Sequence, residues 1–244
     1  MLLAITLMKC LRPYMLLAAF LLSMSTGFAQ SSGKPASEAS LVQAHTFSNI
    51  FSGRDAEPYP NTFTGSYYLY SSQFIEGSLY YGGKYYNKVD LNINAQKEDL
   101  HILSPDKSYA VILDPALVSG LKIGERDFVY YARDNQWGLP MGYYEIVRDT
   151  PLCLLKHIRK RYRESVDMLE RTMQKYFEPV EQYYLIKAGA IFPLTGRKSL
   201  LKVLGDHRKA LSRWGPQRAI SVKENPEGFY TLCIDYYVSL LKQD

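Results

Sequence analysis

The sequence predicts an α+β protein in which an antiparallel β meander, a sandwich or a partly open barrel is followed by C-terminal helices. Three observations carry this prediction. From Tyr67 onward, short β-prone runs recur about every ten residues, with turn signals between them. Tyrosine, which favours strands, occurs 21 times in 244 residues. Residues 229–241 carry a helical apolar stripe, which must pack on another layer.

The first 29 residues have the features of a secretory signal peptide. Lys9 and Arg12 precede an apolar run over residues 15–22, and small residues end at Ala29, where we expect cleavage. The run is shorter than the roughly 20 apolar residues that span a bilayer, so a retained anchor helix is the less favoured alternative. We therefore expect an exported protein, either periplasmic or extracellular.

Export changes what the composition implies. Loss of the leader removes Lys9 and Arg12 and lowers the net charge from +5 to +3, which is too small to indicate nucleic-acid binding. No second long apolar run follows, so we expect no transmembrane segment after leader cleavage. The sequence leaves Met1 and Met8 open as the start of translation.

Beyond the signal peptide at residues 1–29, the chain divides into three stretches. Residues 30–40 are polar and small, and residues 52–66 contain prolines, an asparagine and glycines, so residues 30–64 are predicted to be a flexible leader and loop. We expect a β-rich region over residues 65–195. A helical C-terminal region over residues 196–244 is expected to pack on it.

The first strands are predicted to form a hairpin around Gly82 and Gly83. Residues 78–81 and 84–89 are β-prone, and two glycines between such runs are a strong hairpin signal because glycine adopts positive φ without strain. Apolar and polar residues then alternate, and residues 94–99 form the next turn.

The strand series continues towards the C-terminus. Further strands are predicted from Leu100 and over residues 108–114, 126–133 and 142–149, and a second hairpin over residues 183–194. Residues 151–162 fit both a strand and a helix, and the strand is favoured. Residues 164–177 contain no glycine or proline, which indicates a short helix.

Capping residues define three C-terminal helices. We expect Ser199 to cap the first, which ends at Gly205, and Asp206 to cap the second. Asn225 is expected to cap the third, with Pro226 at its first position.

The order of these features resembles a group of uncharacterised secreted proteins from Bacteroidota. The shared features are the leader, the hairpins over residues 77–94 and 183–194, the Ser-Leu-Leu helix at residues 199–201 followed by Asp206, and a final helix with a Tyr-Tyr pair. The resemblance covers most of the mature chain and implies export and a β-rich body with C-terminal helices. It implies no activity.

Four tyrosines around the glycine turn are the first candidate binding residues. Tyr80 and Tyr86 are expected on one side of the hairpin, and Tyr81 and Tyr85 on the other. Cross-strand aromatic pairs stabilise hairpins by about 0.2–1 kcal/mol each, which explains these residues without a ligand. An exposed pair remains a candidate for stacking on a sugar ring.

A dense basic stretch over residues 156–163 is the second candidate surface. It includes Lys156, Arg159 and Arg161, which suit an anionic surface such as lipid headgroups or acidic polysaccharide. The favoured alternative is a solvated edge strand, in which these charges prevent edge-to-edge pairing.

Two cysteines remain in the mature chain, Cys153 and Cys233. In an oxidising compartment they are a candidate disulfide, and two separate buried thiols are the alternative. Cys153 and His157 are four residues apart, which suits thiolate chemistry only on a helix. In a strand they lie about 13 Å apart, so a core thiol is favoured.

No motif identifies catalysis, a metal or a cofactor. Metal-binding, serine-hydrolase and phosphate-loop patterns are absent from the sequence, and we therefore predict no catalytic residue, no metal and no cofactor. The carboxylates Glu98, Asp99, Asp106 and Asp114 lie near predicted turns. Solvated turn residues are the favoured interpretation, and an acid–base pair acting on a sugar is the alternative.

We therefore predict an exported, non-catalytic binding or interaction module of the cell envelope, with an envelope protein or a polysaccharide as its partner. The alternatives are a carboxylate-dependent polysaccharide hydrolase and a purely structural periplasmic protein. Enzyme activity stays open, and a non-enzyme is favoured.

Overall fold

The computed structural model describes residues 49–59, 63–149, 151–167, 172–214 and 220–242. The predicted signal peptide and residues 30–48 of the predicted leader lie outside this part of the chain. Within the stretch predicted as leader and loop, the chain has a 3-10 turn at Asn49–Phe51 and two short strands. Ile50 anchors the turn, because it is buried in the core and only 1% exposed.

The described residues form one sheet of twelve strands. In chain order these are β1 (Arg54–Asp55), β2 (Phe63–Thr64), β3 (Ile75–Tyr81), β4 (Lys84–Asn94), β5 (Asp99–Leu103), β6 (Ala110–Leu113), β7 (Val118–Ile123), β8 (Arg126–Tyr131), β9 (Gly142–Arg148), β10 (Cys153–Asp167), β11 (Thr172–Lys187) and β12 (Ala190–Leu194).

The strand order is β1-β6-β5-β4-β3-β7-β8-β9-β10-β11-β12, and β2 pairs in parallel with β11. Every other pairing is antiparallel. The order departs from a simple meander at one main point, where β7 returns to pair with β3. The predicted antiparallel α+β architecture is therefore confirmed, and the sheet is open.

Both predicted hairpins are present. Gly82 and Gly83 have φ of +55° and +78° and join β3 to β4, with Tyr81 opposite Lys84. The late hairpin turns at Ala188 and Gly189, between β11 and β12.

Strands β10 and β11 form a ribbon that extends well past the rest of the sheet. They pair from Cys153 to Asp167, whereas β9 reaches β10 only from Leu154 to His157. The helix predicted over residues 164–177 is wrong, because the described residues there continue the two strands. The absence of glycine and proline permitted a helix, but long-range pairing with the facing strand decided the conformation.

The sheet curls until the β4–β5 turn meets β9 and β10. The amide of Lys160 donates to the carbonyl of Ala95 at 2.8 Å. Leu91 of β4 and Ile158 of β10 consequently belong to one hydrophobic cluster, which fills the curl.

Three helices follow the sheet: α1 (Arg197–Val203), α2 (Arg208–Arg213) and α3 (Pro226–Leu241). They pack through a second hydrophobic cluster on β10–β12. Asn225 caps α3 as predicted, since its Oδ1 accepts from the amide of Gly228 at 2.8 Å. Among the described residues, no helix combines the length and apolarity needed to cross a membrane.

The other two predicted caps are wrong. Ser199 lies inside α1 and reaches back to the amide of Gly196 at 3.1 Å. Asp206 instead accepts a hydrogen bond from Tyr237 at 2.6 Å and pairs with Lys187 at 3.0 Å. Its carboxylate thus fastens α3 to the end of β11, a role set by tertiary contacts.

Candidate ligand site

A pocket of about 400 Å³ opens where the β7–β8 ladder stops. Each strand has six residues, but only Leu121–Ile123 and Arg126–Phe128 pair with each other. Beyond that point the strands separate, while β7 stays paired with β3 and β8 with β9. We call the resulting space the split-ladder pocket. Its volume lies within the range of small-molecule sites.

Residues 118–120 form one wall of the split-ladder pocket, residues 128–132 form the other, and residues 135–137 close it. Since consecutive residues of both strands line it, the pocket opens along the strand edges. The strand edges that a longer β7–β8 ladder would pair therefore face the pocket. Tyr130, Tyr131 and Trp137 supply aromatic surface beside them.

Asn135 organises the loop that closes the pocket. Its Nδ2 donates to the carbonyls of Ala132 and Leu139, each at 2.7 Å. Its Oδ1 accepts from the amides of Trp137 at 3.1 Å and Leu139 at 3.0 Å. The loop is thus held in place by its own hydrogen bonds, and Trp137 is positioned without a ligand.

The electrostatics of the pocket disfavour an anion. None of its lining residues has a charged side chain. Burial raises the pKa of Tyr130, and the negative charges of Glu98, Asp114 and Asp99 raise it further. The Tyr130 hydroxyl therefore stays protonated, in a region where negative potential accumulates.

Two of the four predicted tyrosines border this pocket, and none of the four lines it. Tyr80 lies opposite Gly120, and Tyr81 opposite Val118, both on the pocket wall. The sequence thus indicated an aromatic neighbourhood and missed the site beside it.

The predicted distribution of the four tyrosines over the two faces is wrong. Tyr80 lies opposite Tyr85, with ring centroids 4.8 Å apart, and Tyr86 lies opposite Leu79. Opposite residues in an antiparallel pair share a face, so Tyr80 and Tyr85 form one pair. Tyr85 is 47% exposed and Tyr86 only 4%. The hairpin therefore offers one partly exposed tyrosine pair, and Tyr86 belongs to the core.

Lys156 is a structural residue in this fold. Only 8% of its side chain is exposed, and its Nζ pairs with Glu227 at 2.9 Å and Glu181 at 3.3 Å. It therefore joins β10 to β11 and to the first turn of α3. It is not available to an anionic surface.

Arg159 and Arg161 lie on the projecting ribbon, separate from Lys156. Arg159 is half exposed and its Nε lies 3.5 Å from the carboxylate of Glu98. Arg161 is exposed. Tyr162 and Tyr176, 40% and 36% exposed, lie on the same ribbon. The ribbon is thus a surface with aromatic and basic side chains that is separate from the split-ladder pocket.

Glu98 and His157 form a buried contact that holds the curl of the sheet. His157 is fully buried, and its Nε2 lies 2.9 Å from Glu98 Oε1. The other oxygen of Glu98 accepts from the amide of Tyr143 at 3.1 Å, and Tyr144 stacks on the imidazole with ring centroids 4.3 Å apart. Because Glu98 and His157 are buried and hydrogen-bonded to each other, we assign them a structural role.

Two of the other carboxylates considered for hydrolysis, Asp106 and Asp114, serve turns. Asp106 accepts from the hydroxyls of Ser104 at 2.6 Å and Ser108 at 2.8 Å, and these bonds lower its pKa. Asp114 caps a 3-10 turn by accepting from the amide of Ala116 at 2.9 Å. Neither carboxylate lines the split-ladder pocket.

Both cysteines are free and buried, so the candidate disulfide between Cys153 and Cys233 is not formed. They belong to different hydrophobic clusters, because Cys153 lies on β10 and Cys233 lies on α3. Burial raises the pKa of Cys233 to about 11, partly offset by Arg197. Among the described residues, no group of three or more His, Cys, Asp and Glu is placed to hold a metal ion.

Sequence reasoning missed Trp137 and Asn135, which define the pocket best. The available signal was the run over residues 130–138, where two tyrosines precede an asparagine, a tryptophan and a glycine. Asparagine and glycine at that spacing indicate a structured turn. The separation of β7 from β8 has no comparable local signal. No family model, curated protein sequence or solved structure matches the chain.

Proposed function

We propose that the protein is an exported, non-catalytic binding module of the cell envelope, and that the split-ladder pocket is its ligand site. One observation carries the proposal: an aromatic pocket at the end of the β7–β8 ladder, closed by a loop that Asn135 holds in place. A rigid aromatic pocket with a few polar groups is the usual form of a small-ligand site.

The arrangement of carboxylates favours binding over hydrolysis. A glycosidase needs two carboxylates on opposite sides of the scissile bond, about 5–10 Å apart. The split-ladder pocket has none, and two other pockets, of about 150 and 300 Å³, each have one, Glu125 and Glu181. Export is supported by the leader signature at residues 1–29, in which Lys9 and Arg12 precede an apolar run and small residues end at Ala29.

The experiment uses tryptophan fluorescence as a local probe. The mature chain has two tryptophans, Trp137 in the pocket and Trp214 stacked on Tyr236. In a Trp214→Phe variant, the tryptophan fluorescence of the mature chain comes from Trp137 alone. This variant is titrated with a panel of neutral and acidic oligosaccharides, nucleosides, polyamines and fatty acids.

We expect a saturable change in Trp137 emission with at least one compound. In the same background, Ser119→Tyr fills the pocket from the exposed wall and should abolish that change. An absent response, or a response that survives Ser119→Tyr, would contradict the proposed site. Chromatography of the bound compound tests the hydrolase alternative, because products released in step with protein concentration would contradict a non-catalytic role.

A further inference from the structure

We infer that the ligand of the split-ladder pocket is a neutral saccharide chain, with one sugar ring packed against Trp137. This inference rests on the proposed function, because it names the ligand class of that same site.

Charge is the first argument. The pocket wall has no basic side chain to pair with a uronate, a sulfate or a phosphate, and a buried anion needs such a partner. The carboxylates of Glu98, Asp99 and Asp114 act on Tyr130 through their negative charge. They do not line the pocket, so a cationic ligand would have no direct carboxylate partner there. The wall therefore suits a ligand without net charge.

The mixture of groups on the wall is the second argument. Aromatic surface from Trp137, Tyr130 and Tyr131 lies beside the hydroxyl of Ser119, the amide of Gln136 and the peptide groups at the end of the ladder. A sugar ring has C–H faces that pack on aromatic rings and a rim of hydroxyls that pair with such polar groups. A purely apolar ligand would leave these polar groups unpaired, which costs free energy.

The shape of the pocket is the third argument. A volume of about 400 Å³ is near the lower end of the range for small-ligand sites, and it has room for about one or two sugar rings. The pocket opens along the edges of β7 and β8, so the remainder of an extended chain can leave it on the solvent side. Polysaccharide chains need such an opening, and a closed cavity would exclude them.

The rigidity of the loop is the fourth argument. Weak, neutral ligands gain affinity when the protein loses little conformational entropy on binding. The four hydrogen bonds of the Asn135 side chain fix the loop before a ligand arrives. Trp137 also packs against a hydrophobic cluster that contains Tyr131, Leu139 and Tyr144.

Isothermal titration calorimetry tests the inference. The neutral probes are cellohexaose, maltohexaose, xylohexaose and N-acetylchitohexaose, and the comparison probes are trigalacturonate, adenosine, spermidine and decanoate. Trp137→Ala removes the proposed stacking surface. Tyr109→Ala is the matched control, because Tyr109 is an exposed aromatic residue outside the pocket.

We expect at least one neutral oligosaccharide to bind, and the comparison probes to bind more weakly or not at all. Trp137→Ala should weaken binding by about tenfold or more, since an aromatic anchor carries much of the affinity, whereas Tyr109→Ala should leave it unchanged. Binding of a comparison probe alone, lost in Trp137→Ala, would overturn the saccharide inference and leave the proposed site standing. An absence of binding by every probe would overturn both.

Discussion

Gly142 makes room for the buried contact between Glu98 and His157. Its φ is +150°, and a Cβ there would lie 2.4 Å from the Glu98 carboxylate and 2.7 Å from His157 Nε2. The contact between Glu98 and His157 joins the β4–β5 turn to β10. The curl of the sheet therefore requires a glycine at position 142, which has no Cβ to block this contact.

Gly142→Ala should lower the free energy of unfolding by about 3 kcal/mol, through overpacking and backbone strain. Urea unfolding at neutral pH measures the change. Gly205→Ala is the control, because a Cβ at Gly205 meets no atom within 4 Å, and it should shift stability by no more than about 0.5 kcal/mol. Equal stability of the two variants would contradict the packing described for Gly142.

His101 should make the protein less stable in mild acid. Burial lowers the pKa of His101 from 6.5 to about 4, helped by the charges of Lys97 and Arg54. The unfolded chain then binds a proton at higher pH than the folded chain, so stability falls as pH drops from about 6.5 to about 4. The difference between the pKa values of His101 in the unfolded and folded chains corresponds to a loss of about 3 kcal/mol of unfolding free energy at most.

Urea unfolding at about pH 7 and about pH 4.5 measures this loss. His101→Asn removes the titrating group and keeps a polar atom near the hydroxyl of Tyr68, 3.1 Å from His101 Nδ1. Its stability should depend less on pH than that of the unmodified protein. The same pH dependence in both proteins would assign the effect to other groups.

At the scale of elements, Lys156 connects three of them, and its ion pairs are partly hydrated. Its partners Glu181 and Glu227 are 39% and 36% exposed, so neither becomes a buried, unpaired charge when Lys156 is replaced. Lys156→Met keeps most of the packing and should cost no more than about 1 kcal/mol. Lys156→Ala leaves a cavity and should cost about 2–4 kcal/mol.

Thermal and urea unfolding of the two Lys156 variants distinguish packing from charge. A similar large loss in both would show that the ion pairs themselves hold α3 against β10.

Elements that depend on interactions between residues close in sequence were predicted correctly, and elements that depend on long-range contacts were not. The Gly82-Gly83 hairpin and the Asn225 cap were predictable, because glycine φ and side-chain capping act within a few residues. The ribbon was mispredicted over residues 164–177, where each strand residue is stabilised by a partner on the facing strand. The same holds for Asp206, whose partners Lys187 and Tyr237 lie far away in the chain.

At the scale of the whole molecule, the buried thiols predict stability without a disulfide. A bond between Cys153 and Cys233 would close a long loop and typically contribute 2–5 kcal/mol. Because both cysteines are free and buried, a reductant should leave the melting temperature unchanged. A thiol reagent should modify the two residues only after unfolding in guanidinium. A lower melting temperature under reductant would contradict the free thiols.

The architecture of the molecule was largely predictable from the sequence, and its ligand pocket was not. Strand alternation, turn glycines and the apolar stripe of α3 all follow from local sequence. The pocket depends on where β7 stops pairing with β8, and the return of β7 to β3 places Tyr80 and Tyr81 beside it. Those are long-range pairings, and alternation along a single strand carries no information about them.

Hydrogen–deuterium exchange with a bound neutral oligosaccharide tests the central claim most directly, because it reports where the ligand protects the main chain. Residues 118–120 and 129–137 should exchange more slowly in the complex, while α3 should exchange at an unchanged rate. Protection confined to the ribbon, at residues 161–166, or no protection anywhere, would contradict a ligand site at the end of the β7–β8 ladder.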